Sequence, residues 1–398
     1  MGSSVEAKNF EFKGGLKSTS LALIGIGAVA TLLSFKTNAT VAWVDYLVNN
    51  IYFITVALSG VFFLSVTGVM QTSWMTPYKR VVESMTKYLP VGSLLMLVLY
   101  FGLHTLYEWT HTDVVANDPI LSQKTAWLNE PGFMMRMVLI LAIWNILAFI
   151  LRKQSAAQDE RPGDMNLIKN IMKTGCVALI FFALSLSVAS FDWVMSIEPH
   201  WFSTIFGVYI FAGMFVSGMS FIAIAVVKLR EWGYLHQVIT ENHLHDIGKW
   251  MFGFATFWAY IWVSQYLLIW YANIPEETHY YVSRHEHWNL FFFGNLVINW
   301  VVPFFLLMSR PAKRNPNRLM LVAVILLFGH FLDLYLMIAP MIFHHNEIHH
   351  VAGYGVLQLL QWLGFLGVFI FFVGTGLSKV NILPKGDPNL AEGVDLHQ

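Results

Sequence analysis

The chain has 398 residues, 56% of them hydrophobic, 16% aromatic and only 12% charged, with a formal net charge of zero. A soluble domain carries about 25% charged residues, so this shortfall and a mean hydropathy of +0.57 exclude an ordinary soluble protein and indicate a polytopic membrane protein. The balanced charge offers nothing for nucleic acid, and the single cysteine, Cys176, excludes an internal disulfide, a C-x-x-C-H haem attachment and an iron–sulfur cluster held by this chain alone.

The N-terminal MGSSVEAKNFEFKGGLKSTS is polar and of mixed charge, without the basic start and short apolar core of a signal peptide, so its retention is expected. About ten stretches then reach the ~20 apolar residues needed to cross a bilayer. They are 17–35, 48–70, 89–107, 133–151, 170–191, 204–228, 248–271, 289–309, 318–340 and 354–376. The expected fold is an all-α membrane protein: one polytopic domain over 1–398, with short tails at 1–16 and 377–398. The longest connection, 108–132, is rich in Asp, Asn and Pro.

Of the 24 Lys and Arg residues, 20 fall on the same side as the termini. Only Lys36, Lys124, Arg136 and Arg284 fall on the other. By the positive-inside rule both termini are expected in the cytoplasm. The outer face then receives 108–132, 192–203, 272–288 and 341–353, which are rich in His, Trp and Tyr. A face with these residues and almost no Lys suits burial against another protein.

The joint between the fifth and sixth spans, Ser190 to Ala212, reads SFDWVMSIEPHWFSTIFGVYIFA. It places Asp192, Glu198 and His200 at a membrane boundary with no Lys or Arg between them. Charges at such positions are expensive and default to a functional reading. Asp192 and Glu198 suit proton carriers, with His200 as a relay near neutral pH. The competing reading is helix capping, with Pro199 in a turn and Ser203 and Thr204 as N-caps.

Further ionisable residues lie within the spans. His330 and Asp333 sit three apart on one face of the ninth, and Arg136 lies just inside the fourth. For His330 and Asp333 a proton path is weighed against packing; for Asn145, Gln265 and Asn299 packing is the better reading. His104 lies near an outer end and suits an interface anchor. His245 and Asp246 precede the seventh span and suit either proton uptake from the cytoplasm or, for Asp246, an N-cap. His345 and His349 have the i, i+4 spacing of two metal-binding imidazoles; against a metal stands a polar loop pressed on a partner. A b-type haem needs two His at matching depth, and His104 and His330 lie at different depths.

The motif Ser190-Phe191-Asp192, followed by Pro199-His200-Trp201-Phe202-Ser203-Thr204-Ile205-Phe206 and Ala212-Gly213, resembles the signature of NrfD/PsrC-like quinone-interacting membrane subunits. His245-Asp246-Ile247-Gly248-Lys249 and the stretch Phe257 to Thr278, FWAYIWVSQYLLIWYANIPEET, are similar to the second NrfD-like subunit of alternative complex III, a quinol:electron-acceptor oxidoreductase. The resemblance runs the length of the chain. It implies two four-helix bundles, spans two to five and six to nine, flanked by spans one and ten, in the bacterial inner membrane. It also implies partners: a paralogous quinol-oxidising NrfD-like subunit, an iron–sulfur subunit, a multihaem cytochrome c subunit, small membrane subunits and a terminal oxidase. Haems and clusters would sit on those partners, leaving this chain without a covalent cofactor, in contact with menaquinol and lipids.

The chain departs from the family pattern at two places: Gly207-Val208 stands where the family has Pro-Pro after Ile-Phe, and a His is missing ahead of Asp192. The quinol-oxidising members carry a His one or two turns before the Asp of S-x-D, where this chain reads Ala183-Leu184-Ser185-Leu186-Ser187-Val188-Ala189. Oxidation of quinol releases protons that a His–Asp pair is suited to accept, so the missing His weighs against a quinol site here. The expected function is an anchoring, electron-transport membrane subunit with a proton path. The alternatives are a quinol-binding subunit, a secondary transporter, with Pro303 and Gly329 as weak hints of broken helices, and a pure scaffold.

Overall fold

The structure is a computed structural model that describes residues 8–346, 348 and 355–396, apart from the side chains of Glu286, His287 and His345. It is helical throughout, with no strand among the described residues. Among the described residues ten helices are long and apolar enough to cross a membrane: α1 Gly15–Thr37, α2 Ala39–Met70, α3 Thr76–Leu106, α4 Glu130–Glu160, α5 Met165–Ile197, α6 Phe206–Glu231, α7 Glu241–Ala272, α8 Trp288–Leu307, α9 Pro316–His344 and α10 Val356–Leu377.

The number of spans agrees with the sequence, but several boundaries do not. Helix α2 begins at Ala39 rather than 48, because the Asn38 side chain caps it by accepting from the Val41 N–H at 3.1 Å. Asp45 is thereby drawn into the helix. Helix α3 begins at Thr76 rather than 89 and is broken by 3₁₀ turns at Thr76–Tyr78, Thr86–Tyr88 and Val98–Gly102. Pro90 has no N–H for the Thr86 carbonyl. That carbonyl accepts from the Leu89 N–H in the 3₁₀ turn, and Arg152 Nη1 adds a second donor at 3.3 Å.

The expected loop 272–288 is largely helical. A helix starts at Pro275 and runs to Leu296, then passes through a π turn, Val297–Val301, into the rest of α8. Pro303 cannot donate to the Asn299 carbonyl, and the wider turn accommodates its ring. The 108–132 connection holds two short helices, Thr112–Asn117 and Pro119–Lys124.

Between apolar helices in lipid, association relies on close packing rather than on exclusion of water. Helix α1 packs along α10, and a Cβ placed on Gly27 would lie 2.2 Å from the Gly364 Cα, so only glycine allows this approach. Helix α2 lies at the centre, touching α3, α4, α5, α6, α9 and α10. Helix α6 packs on α7 and α9, and α9 on α8.

The two ends of the molecule differ. At one end the C-terminal tail crosses the α2–α3, α4–α5 and α6–α7 connections. Glu392 accepts from Ser73 at 3.1 Å, Gly386 N–H donates to Asp159 at 3.0 Å, and the Gly393 carbonyl meets His243 Nε2 at 2.8 Å. Beneath the tail Arg80 is buried between Glu83 at 2.6 Å and Asp159 at 2.5 Å. At the opposite end the α3–α4 connection folds onto the α5–α6 joint.

Candidate functional site

The α5–α6 joint gathers three of the four cations that stand away from the termini. Helix α5 carries Asp192 in its last turn, 1% exposed. Both carboxylate oxygens are taken: Arg136 Nε of α4 donates to Oδ2 at 2.5 Å, and Trp127 Nε1 donates to Oδ1 at 2.8 Å. The Arg136 guanidinium also lies 4.2 Å from the Trp127 ring centre, a cation–π contact that fixes both donors. Lys124 Nζ donates to the Pro199 carbonyl at 2.6 Å, and burial lowers its pKa. His200 Nε2 lies 2.5 Å from Asp118 Oδ2. Asp118 is held below the ordinary carboxylate value, first by the Leu121 N–H that it accepts. Ser203 does not cap α6, whose N-cap is Ile205; it donates to Gln265 of α7 at 3.0 Å.

Glu198, 4% exposed, faces the third cation: Arg284 Nη2 lies 2.9 Å from its Oε1. Arg284 is 1% exposed and makes a second set of bonds that the sequence does not announce. Its Nε and Nη2 donate to the Leu336 and Met337 carbonyls of α9, both at 2.9 Å. Pro340 stands inside α9 and has no N–H for Leu336. A carbonyl freed in the membrane must find another donor, and Arg284 supplies it.

Deeper in α9, Asp333 is 1% exposed and accepts from three helices. The donors are Tyr209 Oη of α6, Trp258 Nε1 of α7 at 2.9 Å and Asn295 Nδ2 of the Pro275–Leu296 helix at 2.7 Å. Asn299 supports Asn295 with a 2.6 Å bond to its Oδ1. Between Asp333 and Arg284 lies a cavity of about 20 Å³, lined in part by Asn295, Tyr209, Gln265 and Tyr281. A space above ~10–15 Å³ with several polar partners holds a water molecule. Gln265 Nε2 donates to Tyr281 Oη at 3.1 Å, which continues the polar lining to Ser203. Asp333 and Glu198 are thus the two acidic ends of one polar run.

His330 does not join it. Its ring packs against Tyr52 of α2, with centroids 5.6 Å apart, and against Gly213 of α6, where a Cβ would meet it at 2.6 Å. The shared face of His330 and Asp333 therefore splits between different neighbours.

The remaining sequence candidates stand apart. His104 is exposed and 3.3 Å from Glu130. Asp246 pairs with Lys249 at 2.5 Å, and it does not cap α7: Thr240 does so, in a capping box with His243. His245 sits partly buried on the same turn. The side chain of His345, and His349 altogether, lie outside the described residues.

In the sequence Arg284 reads as an outer-loop cation, and nothing local marks Tyr209, Trp127 or Asn295 as partners of the acids. The one local signal was Pro340 inside an apolar run, which implies a carbonyl in need of a donor. No protein-family model matches the chain, and no curated protein is found similar to it.

Proposed function

We propose that the chain is the second NrfD-like, ActF-type membrane subunit of an alternative complex III, where it anchors the assembly and carries the outer part of a transmembrane proton path. In this reading α2–α5 and α6–α9 are the two four-helix bundles, both termini are cytoplasmic, and the membrane is the bacterial inner membrane. The packing of α2 on α5 and of α6 on α7 and α9 supports that grouping. The quoted motifs support membership; the proton path rests on one observation, the polar run from Asp333 through a water-sized cavity to Arg284 and Glu198. A buried carboxylate within reach of water and of a second acid can pass a proton by way of that water. Asp192 serves as an anchor in this reading, since Arg136 and Trp127 occupy both of its oxygens.

The test uses the assembled complex. Asp333→Asn keeps the shape of the site and should leave quinol turnover in place while lowering proton release per electron. Unchanged proton stoichiometry would remove the path. An affinity-tagged chain that purifies without a multihaem cytochrome c and an iron–sulfur subunit would remove the assignment to the complex.

A second reading, quinol binding by this chain, is favoured by a groove of about 750 Å³ between α7 and the Pro275–Leu296 helix, lined by Tyr266, Trp270, Tyr281 and His285. His285 Nε2 lies 3.4 Å from Tyr266 Oη. Photolabelling with an azidoquinone decides: crosslinks at this groove favour it, and crosslinks confined to the paralogous subunit exclude it.

A further inference from the structure

A second polar seam lies away from the Asp333 run, where α2 meets α9 and α10. Asp45 and Asn49 are one turn apart on α2, with Tyr52 and Phe53 continuing the same face. Gln358, Gln361, Trp362 and Phe365 form the facing stripe of α10. The Phe53 ring touches those of Trp362, Phe365 and Phe369, which sets the register and brings Asn49 level with Gln361. Gln358 faces Asp45 at the upper end. At the lower end Tyr52 carries the His330 ring.

Asp45, Asn49, Gln361 and His330 are 2%, 1%, 0% and 2% exposed. Their Oδ2, Oδ1, Nε2 and Oε1, and both imidazole nitrogens, find no hydrogen-bond partner among the described residues; neither does Trp362 Nε1. Buried polar groups are almost always satisfied by protein or by water, and in hydrocarbon an unmet group costs several kcal/mol. The unmet atoms include both acceptors, Asp45 Oδ2 and the amide oxygens, and donors, Gln361 Nε2 and Trp362 Nε1. A metal cation would satisfy only the acceptors. Water satisfies both kinds.

We infer that this seam holds a hydrogen-bonded file of water molecules reaching from Asp45 to His330, so that His330 exchanges protons with the end of the molecule opposite the termini. A proton handed to an imidazole nitrogen is replaced on the donating water by one from its neighbour, so the file keeps its proton count. The inference stands on the seam itself and does not depend on which complex the chain serves.

Radiolytic hydroxyl labelling of the full chain in lipid nanodiscs tests it, because radicals form where water is held. Tyr52 and His330, the rings at the lower end of the seam, should be oxidised severalfold more than Tyr107 and Trp144, which are about as buried but pack around Trp193, away from the seam. The double variant Asn49→Leu with Gln361→Leu should lose that excess. Labelling of Tyr52 and His330 at the level of the controls overturns the inference, as does an excess that survives the double variant. Should the variant fail to fold, a high-resolution electron cryomicroscopy map of the wild type decides: solvent peaks beside Asn49 and Gln361 support the file, and a dry seam overturns it.

Discussion

Arg284 donates to the Leu336 carbonyl at 2.9 Å, the carbonyl that Pro340 leaves without its helix donor. The same guanidinium meets the Glu198 carboxylate at 2.9 Å, so one side chain joins a helix break to the acid of the α5–α6 joint. At the other end Arg152 adds a second donor to the Thr86 carbonyl, which Pro90 cannot meet and the Leu89 N–H does. In both places a cation with several directed N–H groups does what lipid cannot.

Arg284→Lys should therefore be damaging although it keeps the charge, since an ammonium lacks the planar fork that reaches Leu336, Met337 and Glu198 together. Pro340→Ala restores an N–H for Leu336 and should recover part of the loss. Thermal unfolding of the two single variants and the double variant checks this; strictly additive effects would mean that the two residues are not coupled.

Asp192→Ala leaves Arg136 facing an emptied site and should cost about 3–5 kcal/mol, the usual penalty for breaking a buried pair. Asp192→Leu combined with Arg136→Leu removes both charges and should be much closer to wild type. Denaturant or thermal midpoints in a fixed detergent measure it. A double variant as unstable as Asp192→Ala would show that packing, not charge, holds the joint.

Tyr209→Phe removes one of three donors to Asp333 and leaves a ring of nearly the same shape. Proton release per electron should fall in the assembled complex, with assembly intact. Loss of assembly without a change in stoichiometry would assign the cluster to packing.

The Asp118 carboxylate, which accepts from the Leu121 N–H, should give the 112–124 connection an acid limit. The carboxyl of Asp118 sits below its ordinary value of 3.8, so its contribution to docking is full above that value and is lost as pH falls through the lower, folded-state value. Hydrogen exchange of 112–124 should stay slow at pH near 3.8 and quicken only in stronger acid. Asp118→Asn should remove this dependence.

Much of this was legible from local pattern. The ten apolar lengths, the asymmetry of Lys and Arg and the acids at Asp192, Glu198 and Asp333 all stand in the linear chain. Asp45 falls outside a span read from 48; the capping Asn38 is the signal that places it inside α2. Arg284 reads as a loop residue because Arg284-His285-Glu286-His287 is too polar for an apolar span; Pro275, suited to a first helical turn, is the signal for the helix that carries it.

Sequence alone determined the ten helices long and apolar enough to cross a membrane among the described residues, because span length and backbone satisfaction in lipid leave little choice. Only the tertiary structure decided which acid meets which base. Arg136 and Asp192, Arg284 and Glu198, and Tyr209 and Asp333 are far apart in the chain. They come together because close packing of α4 on α5, of α6 on α9 and of α9 on the helix ahead of α8 sets their rotation and depth, and no local periodicity encodes that.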